Sequence, residues 1–168
     1  MGIAYIPEEA FDALFDYIGR RFSQRESVPH YRREPRFNEF CGVLKQVEQN
    51  QYYPDLLAKA VYLLIGINKG HFFSNGNKRI ALTITLFFLL LNYFDLKDES
   101  KTWYQNYLQE LFPEFNKWED FPDFTSTDFA TYNLSIIIAD SEVYGIKHDD
   151  LKERTRLFFE GSIKEFKD

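Results

Sequence analysis

The sequence predicts an all-α protein of about seven helices. Apolar residues recur at three- and four-residue spacing in one segment after another. No run alternates apolar and polar residues for long enough to make a convincing strand. Prolines fall at or between the ends of the periodic segments, where a missing N–H does least harm. A chain of 168 residues suits one compact domain spanning the whole length.

Pro7 opens the first helix, over EEAFDALFDYIGRRF. Its glutamates face the positive end of the helix dipole and its arginines the negative end. Phe11, Leu14, Phe15 and Ile18 fall on one face. Residues 23–36 read as a loop or a short extended hairpin. Asn38 to Gln51 reads as the second helix, with Phe40, Val43, Leu44 and Val47 inward. Pro54 opens the third, whose wide apolar face runs from Leu56 to Ile67 and whose stop is Gly70. A loop at 71–75 precedes a fourth helix from Gly76 to Tyr93. A fifth helix is expected over 99–112, followed by an irregular connector. The sixth runs over 125–141 with Thr127 as N-cap, and the last over 149–166.

Composition narrows the function. Hydrophobic residues are 45% and charged residues 27%, enough for a sizeable core. The 18 Phe and 11 Tyr are expected to fill it. A net charge of −6 argues against nucleic acid as a partner. One stretch differs: Arg20, Arg21, Arg25, Arg32, Arg33 and Arg36 face only Glu26 and Glu34. It reads as a solvated connector, with a basic rim for an anionic ligand or acidic partner as the alternative. Cys41 is the sole cysteine, which excludes an intramolecular disulfide and a cysteine-based zinc site. The apolar run Ile80 to Leu91 has 12 residues, whereas a bilayer span needs roughly 20. With no signal peptide visible, a soluble cytoplasmic protein with no membrane partner is expected.

The chemistry concentrates in His71-Phe72-Phe73-Ser74-Asn75-Gly76-Asn77-Lys78-Arg79. A helix start presents unpaired backbone N–H groups and partial positive charge, a ready anion site. Gly76 lets a ligand approach the backbone, and Asn77 can donate from its amide. Arg79 can grip phosphate oxygens with two N–H groups, and Lys78 acts as a point charge. Cations at a helix N-terminus oppose the dipole, so their placement points to an anion that answers them. His71 could serve as general base for a hydroxyl. Phe72 and Phe73 would pin the loop to the core.

These nine residues resemble the signature of the Fic/Doc family, H-x-F-x-[D/E]-[G/A]-N-[G/K]-R. Lys78, followed by Ile80-Ala81-Leu82, resembles the death-on-curing (Doc) branch. The similarity covers residues 35–94 well and the first helix loosely; helices over 95–168 would be additions, and 95–125 has no clear counterpart. The resemblance implies a Fic/Doc-like helical domain that uses ATP, or another nucleoside triphosphate, with Mg²⁺. It implies transfer of a phosphoryl group, or in the wider family AMP, to a Ser, Thr or Tyr hydroxyl of a protein. His71 would be the base and Arg79 its catalytic companion. Gly76, Asn77, Lys78 and Arg79 would bind the phosphates, with Lys78 altering the nucleotide's pose. By the same analogy the chain would act as a toxin on a translation factor and be held by an antitoxin, and the arginine-containing stretch before residue 37 would lie near a target-docking flap. Asn75 stands where the family has its acidic metal ligand. A neutral amide there should lower Mg²⁺ affinity and could leave a domain that only binds. Glu160-Gly161 resembles a self-inhibitory motif of the family. Arg156 replaces its Ser/Thr and Leu82 the arginine that such a glutamate pairs with, so the likeness reads as chance, with self-inhibition an outside hypothesis.

Overall fold

The computed structural model describes residues 2–22 and 30–166. Among these residues the chain forms seven α-helices and one two-stranded ribbon, an all-α fold. The backbone divides into two compact units, 1–92 and 93–168.

In the first unit, helix α1 (Phe11–Phe22) follows a single 3-10 turn at Glu8–Ala10. Its predicted inward face is buried, from Phe11 through Ile18. Helix α2 (Phe37–Gln46) buries Phe40 and Leu44. It ends sooner than the expected Gln51. The Val47 carbonyl just beyond it accepts a hydrogen bond of 2.6 Å from the buried Lys59 ammonium, and 48–53 form turns. A cation at that end also suits the helix dipole. Helix α3 (Leu56–Gly70) is capped by Asp55, whose carboxylate accepts from the Ala58 N–H at 2.8 Å. Helix α4 (Asn77–Leu91) packs along α3, the most extensive helix pair in the fold. The two are apolar nearly all round, as buried helices are.

Over 23–36, read as a loop with a short hairpin as the alternative, the described residues 30–36 form no strand. Residues 23–29, with Arg25 and Glu26, lie outside the described residues. Residues Tyr31–Arg33 instead make a 3-10 turn. The reason is Tyr31: its ring stacks on Phe15 at 3.8 Å and its hydroxyl donates to Asp12. These contacts draw the segment onto α1 rather than into a ladder.

The second unit opens with strand β1 (Phe94–Leu96), then α5 (Lys101–Leu111), α6 (Ser126–Ala139), α7 (His148–Ser162) and strand β2 (Ile163–Glu165). The strands pair antiparallel, Asp95 opposite Lys164. The last helix is therefore shorter than the 149–166 expected. Helix α6 is capped by Thr125, not Thr127. The Thr125 hydroxyl accepts from the Asp128 N–H, and Asp128 accepts in return from the Thr125 N–H, a closed capping box. The connector over 112–125 is packed rather than loose. Phe112, Phe115 and Phe124 are buried, Trp118 stacks on Phe129, and Asn133 on α6 holds the Glu119 backbone through both its amide atoms. The aromatic excess of the sequence fills the interiors, as expected.

No helix among the described residues is long and apolar enough to cross a membrane.

Candidate active site at the α3–α4 connector

The connector between α3 and α4 is six residues long, and the first turn of α4 completes the candidate site. The sequence-predicted residues therefore lie together: His71 at the end of α3, Asn75 and Gly76 in the loop, Asn77, Lys78 and Arg79 on the helix start.

His71 adopts φ 47° and ψ 47°, the left-handed conformation that glycine usually supplies at a helix end. For an L residue this backbone costs about 1–2 kcal/mol. Glycine stands one place earlier, at position 70, to make room for an aromatic ring. The Phe72 ring folds back so closely that a Cβ on Gly70 would lie 2.3 Å from it. Phe72 and Phe73 are both buried, and both pack on Phe40, at ring separations of 6.3 and 5.1 Å. Phe73 also meets Phe15 edge-on at 5.6 Å. The loop is thus pinned to the core as its two phenylalanines predicted, while the His71 side chain stays exposed.

Gly76 has φ 74° and is buried, and no side chain caps the start of α4 at this residue. Asn77 closes the loop. Its amide oxygen accepts from the Phe73 N–H at 3.1 Å and its amide nitrogen donates to the Phe73 carbonyl at 2.8 Å. This latch is a role the sequence did not suggest. It occupies one of the two amide N–H donors and leaves the other available in principle for a ligand. Lys78 is half-buried; Arg79 is only 3% exposed, with its charge at the start of a buried helix. Leu82 lies one turn on and is buried.

Two residues that sequence reasoning left in a generic basic stretch also reach this connector. The Arg36 guanidinium donates to the Gly70 carbonyl at 2.7 Å and to the His71 carbonyl at 3.3 Å. The Glu34 carboxylate accepts from the Ser74 hydroxyl at 2.7 Å. Arg32 is committed elsewhere, to Asp12 at 3.3 Å and Glu8 at 3.8 Å. Hydrogen bonding from Tyr31 first, and then Arg32, holds the Asp12 carboxyl below its usual range, while burial pushes the Tyr31 hydroxyl up. Arg32 and Arg36 thus both pair within the chain.

The donors do not make a resident metal cage. Among the described residues no group of three or more His, Cys, Asp or Glu side chains converges. Asn75, in the connector, brings a neutral amide. Mg²⁺ is usually held by carboxylates together with substrate phosphates, and a neutral amide by itself is a weak ligand for it. Glu160 is paired with Arg156 on its own helix at 3.0 Å.

A family model described as Fic/DOC family matches residues 5–89, which takes in α1 to α3, the whole connector and all but the last two residues of α4. Searches of curated proteins and of solved structures returned no match.

Proposed function

The chain belongs to the Fic/DOC family, and from that premise we propose that it is a Doc-like protein transferase. It moves a phosphoryl group from a nucleoside triphosphate, ATP in the simplest case, to a hydroxyl of a protein. The observation that carries this reading is the α3–α4 connector. An exposed histidine stands on a loop latched to the core, a few residues from a helix start whose N-cap is a glycine and that carries Lys78 and Arg79.

The division of labour follows from the residues. His71 removes the proton from the target hydroxyl, so the oxygen can attack the γ-phosphorus while the bond to the departing nucleoside diphosphate breaks. The α4 start, with Gly76, the second N–H of Asn77, Lys78 and Arg79, holds the phosphates and meets the charge that builds on them. Arg79 is nearly fully buried, which suits positioning a transferring group. The nucleotide brings Mg²⁺ with it, consistent with the neutral Asn75. Lys78 in place of glycine favours phosphoryl over AMP transfer. The target by family analogy is a translation factor, and an antitoxin would be the natural regulator.

Asn75 supports one other reading, a domain that binds nucleotide without turning it over. Incubation of the purified chain with a bacterial lysate, Mg²⁺ and ATP labelled at the γ or the α phosphate separates the two. Protein label from the γ position alone, lost in His71→Ala, is the expected result. Label from the α position would make it an AMP transferase. Nucleotide bound with no label from either would leave the binding domain.

A further inference from the structure

We infer that Arg36 is a positioning residue for His71, and that Arg36 and Glu34 together strap the segment before α2 to the loop that carries the base. The inference rests on the reading of His71 as general base and goes beyond the motif, which contains neither residue.

Arg36 sits at the N-cap of α2, yet its side chain makes no cap bond to that helix. It reaches across to the end of α3 instead. One guanidinium nitrogen, Nη1, donates to both Gly70 and His71 carbonyls, at 2.7 and 3.3 Å. Nε donates to the Glu39 carboxylate at 2.6 Å, which fixes the plane of the group. The guanidinium lies 4.9 Å from the Phe72 ring centre. Glu34, two residues earlier, accepts from Ser74 on the same loop. Each contact to the loop joins residues at least 34 positions apart in sequence.

These contacts answer a structural need. A helix C-terminus leaves carbonyls without partners and carries partial negative charge, and a guanidinium satisfies both. The left-handed backbone of His71 is the conformation that must be over-determined by its surroundings. Phe72 packing holds it from the core, and Arg36 holds its carbonyl from the opposite segment. Only a planar fork reaches two carbonyls and a carboxylate at once; a lysine ammonium cannot keep that geometry. A base displaced by an ångström loses rate steeply, so the strap acts on turnover and not on nucleotide affinity.

Arg36 is about half exposed, at 45% of its side-chain surface, so Arg36→Met should leave the chain folded. In that variant kcat should fall by about tenfold or more while KM for the nucleotide holds. Arg36→Lys should recover part of the loss, because it keeps the charge. Amide exchange at 71–76 should quicken in Arg36→Met with the melting temperature unchanged. Unchanged kcat, or a raised KM with kcat kept, would overturn the positioning role. Were the wild-type chain to transfer nothing, the functional reading would fail alone. The exchange measurement still decides the strap: faster exchange at 71–76 supports it, and unchanged exchange overturns it. Should Arg36→Met not fold, Arg36→Gln carries the same comparison.

Discussion

His71 and its neighbours divide their duties against expectation. Glycine usually takes the left-handed position at a helix end, and the sequence offers Gly70 for it. The structure gives that position to His71 and uses Gly70 to make room for the Phe72 ring. The helix stop was legible from Gly70, and the burial of Phe72 and Phe73 from their type. Which residue turned left-handed was not, because it depends on where a ring two positions on packs. Asn77 repeats the lesson: an amide at a helix start reads as a ligand donor, whereas its bonds to Phe73 exist only once the loop has closed. Gly70→Ala tests this division. The new methyl must push Phe72 off Phe40, an overpacking that costs about 1–3 kcal/mol. Thermal melting should drop accordingly and transfer should fall with it. A melting temperature equal to wild type would show that the ring moves without cost.

Elements were legible where side-chain periodicity is long, and their ends were not. All seven helices fall in the segments expected, since each buries a stripe of large residues. The α6 cap separates the two threonines that compete for it. Thr125 and Thr127 are equally plausible by residue type, and only Thr125 has an acid three residues on, Asp128, to close the box. Thr125→Ala should lower stability by about 1 kcal/mol, and Thr127→Ala by clearly less. Equal losses in chemical denaturation would contradict the assignment. The ribbon of β1 and β2 was invisible for a different reason. Strands of three residues carry no alternation to read, and their partner lies across the unit, Leu96 opposite Ile163. The apolar stripe of α7 simply runs into β2, so nothing local marks the boundary.

Across the molecule, each unit has its own aromatic interior, and each holds a tyrosine that reports on it. Burial pushes both Tyr62 in the first unit and Tyr104 in the second up to about 12. An unfolded tyrosine loses its proton near 10, so between those values the unfolded chain is ionised where the folded one is not. Stability should therefore hold below pH 10 and decline as the pH climbs towards 12. Denaturant melts followed by tyrosinate absorbance would check this; stability flat through that window would contradict it. The bulk numbers placed the aromatics inside. At the level of function, the signature from His71 to Arg79 was legible because it is contiguous, while the Glu34 and Arg36 contacts come from 34 to 40 residues upstream. On the proposed function, this connector binds a nucleoside triphosphate and His71 activates the acceptor hydroxyl. The most direct test measures nucleotide affinity and γ-phosphoryl transfer side by side in the wild-type chain and His71→Ala. Equal affinity in both, with transfer in the wild type alone, is the predicted result. Equal transfer in both, or no nucleotide binding by the wild type, would contradict it.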